Sequence, residues 1–294
     1  MNNKNIIVLK NQGFCFGVKS AIEMLENNIN TLPKPIYLLG NIVHNKYVKK
    51  HFEDLGVIVL ENETRSKMLD DINSGSVVIT AHGVGNDIYN IINSKGLTYL
   101  DTTCQFVKKS SELILEYVNN GYDIIYIGKK NHPETEGVLS ESKMIHLIEN
   151  IDDIDQLNII NNKIGLSNQT TMSIYDIENV VIKLKEKYPN IVILKTICNA
   201  TKNRQKELTD SLESMNGEKV LVIVIGDPTS NNTSMLEKRA NGFKNALVCK
   251  IEDSTMLDLN IVNEYNNIIV TSGASTPSFI VEDILYKINK QNGQ

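Results

Sequence analysis

Three cysteines are the residues of this sequence best placed to do chemistry together. Each follows an apolar run and a short polar turn and precedes an amphipathic segment, and they recur at nearly equal intervals: Cys15, Cys104 and Cys198. A cysteine at the first turn of a helix lies beside unpaired backbone N–H groups and the positive end of the helix dipole, which favour the thiolate. One such cysteine alone could be an ordinary buried residue. Three in equivalent places predict one shared centre.

The number of thiols indicates which metal group such a centre would hold. Structural zinc sites have four protein ligands, and catalytic zinc sites are rich in histidine. Three thiolates without a fourth suit an iron–sulfur cluster better, because one iron then keeps a position open for substrate. Cys249 lies in the apolar run ALVCKI and has no counterpart in the other repeats, so we expect it to be a core residue.

Two polar loops follow each cysteine at similar distances, each directly after an apolar run. The candidate residues of these loops are His44, His82, His132, Glu134, Thr170, Ser230, Asn232 and Ser275. Histidines at matching positions indicate a common anion or substrate site, and neutral donors near helix N-termini can hold a phosphate without lysines. The alternatives are a structural role for a single histidine and helix capping for Ser, Thr or Asn. Glu134 is the one carboxylate at these loop centres and the natural proton donor.

The elements that must position these residues alternate between apolar strands and helical segments. Such alternation predicts an α/β fold with mainly parallel sheets, in which ligands collect at the carboxyl ends of the strands. The threefold internal repeat predicts three small modules. We expect them to span residues 15–103, 104–197 and 198–294, with residues 1–14 as a strand that joins the third sheet and closes the ring.

Composition excludes several classes of protein. A chain of 294 residues with 41% apolar residues can bury a sizeable core, and a net charge of −5 gives no basic footprint for nucleic acid or an anionic membrane. The N-terminus does not have the pattern of a signal peptide, and no run approaches the ~18 apolar residues of a membrane span. Four well-separated cysteines do not suggest a disulfide framework, so a cytoplasmic protein is expected.

Nine short motifs carry a resemblance to a known family. They run in order from residue 13 to residue 277: GFCFGV, VHN, AHGV, TTCQFV, HPETEGV, NQTT, ICNAT, SNNTS and GAST. Together they resemble the 4-hydroxy-3-methylbut-2-enyl diphosphate reductases, also called LytB or IspH. The resemblance implies three α/β modules related by a pseudo-threefold axis around a central 4Fe-4S cluster. One cluster per chain would have three ligands, Cys15, Cys104 and Cys198, and one open iron.

The resemblance also implies roles for the loop residues. It assigns a bound diphosphate to His44, His82, His132, Ser230, Asn232 and Ser275. It places Glu134 and Thr170 near the reacting hydroxyl, with His132 beside them, as the catalytic group. Two positions depart from the family pattern: Asn231 stands where the family usually has Ser, at one phosphate contact, and Asn131 stands where it usually has Gly.

The function expected from these observations is reductive removal of an allylic hydroxyl from hydroxymethylbutenyl diphosphate, the last step of the non-mevalonate isoprenoid pathway. The sequence has no flavin or nicotinamide fingerprint, so a ferredoxin or flavodoxin is the expected electron donor of an enzyme that acts as a monomer. Two alternatives stay open at this point. One is a non-redox hydro-lyase that uses the same open iron, and the other is a metal- or phosphate-sensing module whose cluster is not catalytic.

Overall fold

The computed structural model describes residues 4–194, 196–215 and 217–291. Its strands, in chain order, are β1 (Asn5–Val8), β2 (Ile36–Leu39), β3 (Val57–Leu60), β4 (Ser76–Ile79), β5 (Thr98–Asp101), β6 (Asp123–Ile127), β7 (Ile145–Ile148), β8 (Ile164–Asn168), β9 (Val192–Ile193), β10 (Val220–Ile225), β11 (Ala246–Ile251) and β12 (Asn267–Ser272). Every pairing among them is parallel.

The helices connect these strands, as parallel pairing requires. In chain order they are α1 (Phe16–Asn28), α2 (Lys46–Asp54), α3 (Arg65–Met68), α4 (Asn86–Ser94), α5 (Gln105–Asn119), α6 (Pro133–Glu141), α7 (Ile174–Lys187), α8 (Asn199–Ser214), α9 (Asn231–Asn241), α10 (Leu259–Glu264) and α11 (Ser278–Gln291). Short 3₁₀ helices cover Ile151–Gln156 and Ser254–Met256. No described helix combines the length and apolar composition needed to cross a membrane.

Three four-stranded sheets have the same strand order. They are β3-β2-β4-β5, β7-β6-β8-β9 and β11-β10-β12-β1. The last strand in each of these orders is an edge strand, β5, β9 or β1. These three strands precede Cys104, Cys198 and Cys15, respectively. The predicted fold class, three α/β modules with parallel sheets, is confirmed.

The described chain falls into two compact units. The larger comprises 17–43 and 47–198 and contains the sheets built on β2 and β6. The other comprises the described residues of 1–16, 44–46 and 199–294 and contains the sheet built on β10. In that sheet β1 pairs with β12, with Asn5 opposite Asn267 and Val8 opposite Val270. The module boundaries expected from the sequence stay a prediction.

Local sequence explains why the elements begin and end where they do. All six residues of β10, VLVIVI, are buried, as β-branched runs in the middle of a parallel sheet usually are. Helix α2 buries Val48 and Phe52, four positions apart on one face, and ends before Gly56, which has a φ of 84°. The apolar run IVIL yields only two strand residues in β9, which pair with Gly165 and Leu166 of β8.

Candidate active site

The three cysteines share one backbone arrangement. The backbone N–H of each cysteine donates a hydrogen bond to a carbonyl in a neighbouring loop. These loops follow β12, β4 and β8, the strands that pair with β1, β5 and β9. The donor and acceptor pairs are Cys15 with Ala274 at 3.0 Å, Cys104 with Ala81 at 3.0 Å and Cys198 with Thr170 at 3.2 Å. Each cysteine also directly precedes a long helix, α1, α5 or α8. The repeat seen in the sequence is therefore a repeat of backbone geometry.

A second layer of equivalent contacts supports these cysteines from two positions earlier. Thr102 Oγ1 donates to the carbonyl of Ile79 at 2.6 Å, at the end of β4. Thr196 Oγ1 donates to the carbonyl of Asn168 at 3.1 Å, at the end of β8. The equivalent backbone N–H of Gly13 donates to Ser272 Oγ at 2.8 Å, at the end of β12.

Sequence reasoning missed these supports, although the motifs TTC and TIC contained the signal. A threonine two residues before a cysteine, after an apolar run, is a hydroxyl that the end of a neighbouring strand can bond. Both threonines are buried, so the contacts fix the turn that leads into each cysteine.

The sulfur of Cys104 lies where the backbone of α1 comes close. A Cβ placed on Gly17 would lie 2.3 Å from Cys104 Sγ, so a larger residue would require the helix or the cysteine side chain to shift. Cys104 is the N-cap of α5, but its side chain makes no capping hydrogen bond. The three cysteines are thiols of intermediate exposure. Their side chains are thus not sealed in the core.

Cys249 has a different environment. It lies in β11 opposite Ile223 of β10 and packs against the apolar core of that sheet. Burial, with a smaller contribution from Asp258, raises the pKa of the Cys249 thiol. A thiol that resists ionisation is a poor metal ligand. The structure therefore separates Cys249 from the other three by place and by chemistry.

Two of the predicted histidines meet in the larger unit. The rings of His82 and His132 pack edge to face, with centroids 5.4 Å apart. His132 is the N-cap of α6, and its Nδ1 accepts a hydrogen bond from the backbone N–H of Glu134 at 3.2 Å. A neutral His132 must therefore carry its proton on Nε2, which becomes a donor. Asn131 before it has a φ of 62°, which asparagine and glycine tolerate best.

The other unit brings a second group of predicted residues together. Ser275 Oγ donates to the carbonyl of His44 at 2.9 Å and lies 3.5 Å from Ser230 Oγ. Ser230 is the N-cap of α9 and accepts from the N–H of Thr233, so the capping role left open by the sequence is real. The hydroxyl of Ser230 lies at the N-terminus of α9, where an anion is favoured.

The two asparagines after Ser230 lie in the first turn of α9. Asn231 is buried, and Asn232 Oδ1 accepts a hydrogen bond from Thr201 Oγ1 at 3.3 Å. The bond from Thr201 uses only the amide oxygen of Asn232, and the amide nitrogen is a donor.

Glu134 is a buried carboxyl held by Thr170. Its Oε1 accepts from the backbone N–H of Thr170 at 2.7 Å, and its Oε2 lies 2.9 Å from Thr170 Oγ1. Burial raises the pKa of Glu134 to about 7, against the opposing effects of the Thr170 hydrogen bonds and the nearby Tyr126 hydroxyl. Glu134 therefore holds a proton near neutral pH and can release it, which is the property of a general acid.

The expectation that Glu134 lies in a loop was wrong in one respect. Helix α6 begins at Pro133, so Glu134 lies in its first turn. Proline suits the first helical position because its φ is fixed and its missing N–H is not needed there.

Gln169 is a further residue of the site that sequence reasoning did not select. It is fully buried, and its Oε1 accepts from the backbone N–H of Lys129 at 3.0 Å and from Thr135 Oγ1 at 3.3 Å. It thus joins the loop that carries Thr170 to the turn that carries Glu134. The motif NQTT contained this residue, but a buried glutamine that links two loops has no signal beyond its presence.

A cavity of about 220 Å³ lies beside Glu134 within the larger unit. Its walls include His82, Glu134 and the ion pair of Asp101 with Lys108, whose Nζ lies 2.6 Å from Asp101 Oδ2. The space is large enough for several waters.

Comparison with known proteins gives one consistent family. The model of the LytB protein family matches residues 6–289. The 4-hydroxy-3-methylbut-2-enyl diphosphate reductase of Geobacillus kaustophilus is 40% identical over 283 residues, covering 95% of this chain and 88% of the relative.

Two solved structures have the same fold. The E-1-hydroxy-2-methyl-but-2-enyl-4-diphosphate reductase of Plasmodium falciparum has a TM-score of 0.87 and 34% identity, covering 98% of this chain and 87% of the other. A structure of (E)-4-hydroxy-3-methyl-but-2-enyl diphosphate reductase has a TM-score of 0.66 and 27% identity, covering 98% and 99% of the two chains.

Proposed function

The chain belongs to the LytB family, and we propose that it removes the allylic hydroxyl of 4-hydroxy-3-methylbut-2-enyl diphosphate to give isopentenyl and dimethylallyl diphosphates. This is the last step of the non-mevalonate pathway. The observation that carries the proposal is the buried Glu134 carboxyl, which has a pKa of about 7 and is bonded to Thr170. The carbonyl of that same Thr170 accepts from the N–H of Cys198.

A 4Fe-4S cluster is the cofactor that the cysteines fit, with Cys15, Cys104 and Cys198 as its three ligands. Their equivalent backbone bonds, their position before long helices and their partly exposed sulfurs support this assignment. Gly17 leaves room at Cys104 Sγ that any larger residue would fill. When bound, a cluster with one open iron supplies a Lewis acid and a relay for electrons.

The diphosphate is assigned to donors from both groups of loop residues. They are His44, His82, His132, Thr170, Ser230, Asn231, Asn232 and Ser275. Nε2–H of a neutral His132, the serine hydroxyls and the N-terminus of α9 are donors of the kind that binds phosphate oxygens. Asn231 has an amide where related proteins have a hydroxyl. The amide is also a hydrogen-bond donor, but it lies on a longer side chain.

The proton is delivered by Glu134 through Thr170. Loss of the hydroxyl consumes two electrons and two protons: one proton leaves with the hydroxyl as water, and the other ends on carbon. In the neutral state the Glu134 carboxyl can donate to Thr170 Oγ1, and the threonine hydroxyl can then donate onward. His132, which accepts the N–H of Glu134, fixes the turn that holds the carboxyl. These three residues form the catalytic group of the proposal.

The electrons come from a separate protein, a ferredoxin or a flavodoxin, because the sequence contains no flavin or nicotinamide fingerprint. We place the enzyme in the cytoplasm, where a reducing environment keeps its thiols available. We propose that it acts as a monomer.

The test is turnover by the anaerobically purified protein with and without an artificial reductant. Formation of both five-carbon diphosphates only when reductant is present is the expected result. Water loss without reductant would instead indicate a hydro-lyase. Substrate binding without turnover, at full iron content, would indicate a sensing module.

A further inference from the structure

Tyr126 is a buried tyrosine with no part in the chemistry described so far. It lies in β6, its side chain is fully buried, and it packs in the apolar cluster with Ile114 and Val138. Within the described residues its hydroxyl has no aligned hydrogen-bond partner. A buried phenol normally finds a partner, because leaving its hydroxyl dry is costly.

Two polar groups stand next to this hydroxyl. They are the carboxyl of Glu134 and the hydroxyl of Thr135, and both affect the ionisation of Tyr126. A Cβ on Gly128 would lie 2.7 Å from both Tyr126 Cε1 and Thr135 Oγ1, so the tyrosine ring and the threonine meet in space that glycine leaves open. The ring is thus held against the turn that carries Glu134.

The direction of the hydrogen bonds follows from which proton is available. Thr135 Oγ1 donates its proton to Gln169 Oε1, so toward Tyr126 it can only accept. Burial, followed by the charge of Glu134, raises the pKa of Tyr126 well above its usual value, so the residue remains a phenol. Its O–H proton therefore has two possible acceptors, Thr135 Oγ1 and an ionised Glu134.

We propose that Tyr126 is a positioning residue for the proton donor: its hydroxyl turns from Thr135 to the Glu134 carboxylate when that carboxyl gives up its proton. The proposal rests on the proposed function of Glu134. In this arrangement Thr170 holds both carboxyl oxygens, and the Tyr126 hydroxyl donates a further hydrogen bond to the ionised carboxylate.

Other ionisable groups also lie near Glu134. His132 contacts its backbone, and His82 contacts the ring of His132. The charged residues of the adjacent cavity are Asp101, Lys108, Glu112 and Glu141. None of these residues is altered when only the Tyr126 hydroxyl is removed.

The decisive variant is Tyr126→Phe, which removes one oxygen and keeps the ring. The Glu134 carboxyl band in infrared difference spectra of the anaerobic holoenzyme, identified by its loss in Glu134→Gln, is followed against pH. Without the hydroxyl the carboxylate loses a donor, so the acid dissociation constant of Glu134 should fall roughly threefold or more. The alkaline limb of the kcat profile should move to higher pH in the same variant, with KM unchanged.

Two further variants make the test specific. Tyr117→Phe removes a hydroxyl from another tyrosine packed on the same cluster and should leave the titration unchanged. Thr135→Val removes the competing acceptor, so the tyrosine hydroxyl is left for Glu134 and the titration should move to lower pH.

The outcomes separate the two proposals. A Glu134 titration that is the same in Tyr126→Phe and wild type, or that moves equally in Tyr117→Phe, overturns the role of Tyr126. A titration that moves while the kcat profile stays fixed upholds the hydrogen bond and overturns Glu134 as the proton donor.

Discussion

Glu134 combines a buried carboxyl with a proton that it can release near neutral pH. Glutamine keeps its shape and much of its hydrogen bonding but has no acid proton, so we predict that Glu134→Gln lowers turnover by about 10² to 10⁴. Iron content and substrate affinity should stay near wild type. Steady-state turnover with excess artificial reductant, beside a thermal melt, measures the effect.

Glu136 in the same helical turn provides a matched control. It is partly exposed and lies 3.7 Å from Arg65. Glu136→Gln should change turnover little. A Glu134→Gln protein that melts early yet turns over normally would show that the carboxyl only supports the start of α6.

The same carboxyl should link stability to pH. Its pKa rises from the ordinary 4.5 to about 7 in the folded protein, so between these values the folded state binds more protons than the unfolded state. Its contribution is fully present below the lower value and is lost as pH rises through the higher one. At 1.36 kcal/mol per pKa unit the loss is about 3 kcal/mol.

Urea unfolding across this window, at matched cluster content, measures the loss. Glu134→Gln should show a flatter pH profile than wild type. Equal slopes in the two proteins would mean that other groups set the pH dependence.

At the residue level the sequence predicted which side chains have reactive groups, but it did not predict their neighbours. Glu134 stood out as a carboxylate among neutral loop residues. Tyr126 did not, because a tyrosine within YDIIYIG has the pattern of an ordinary core residue, and its closeness to Glu134 depends on how β6 and α6 pack. Burial, the largest cause of the raised pKa of Glu134, is likewise a tertiary property.

At the level of elements, α1 comes close to the side chain of Cys104, the residue before α5, at Gly17. We predict that Gly17→Ala lowers iron content, because its Cβ would lie 2.3 Å from Cys104 Sγ and one of the two elements must move. In a helix interior alanine is otherwise more favourable than glycine by roughly 1 kcal/mol. Helix propensity alone therefore predicts that the variant is more stable. Iron and sulfide analysis with a thermal melt distinguishes the two effects.

Lys19→Ala in the same helix is the control, since Lys19 is exposed and pairs with Glu23 in the next turn. It should retain full iron content. Normal iron in Gly17→Ala would show that the helix can shift without disturbing the cysteine.

Strand and helix positions followed from the sequence because apolar runs and polar loops alternate so regularly. The exceptions were short or local. The two-residue length of β9 and the start of α6 at Pro133 depend on local hydrogen bonding and on capping geometry, which a hydrophobic pattern does not encode.

Across the whole molecule, the repeat assigns one cysteine to each module. We predict that Cys15→Ser, Cys104→Ser and Cys198→Ser each abolish or severely reduce the cluster, because each would remove one of three thiolate ligands. Cys249→Ser should keep it, since that residue lies within β11 and not before a helix. Iron and sulfide content, with electron paramagnetic resonance of the reduced protein, measures the result.

Equal iron loss in Cys249→Ser would contradict the assignment of ligands. A cluster that persists in any of the other three variants would show that the corresponding module contributes no ligand.

The pairing of β1 with β12 has a consequence for the time course of folding. Asn5 and Asn267 are neighbours in the sheet but lie 262 positions apart in the chain. At 5–20 residues per second, a ribosome makes the second partner roughly ten to fifty seconds after the first. Strands β2 to β9 can pair during that interval, while β1 has not yet gained its partner strand β12. Cys15 takes its backbone partner from Ala274, so the first cysteine to be synthesised is the last to be secured.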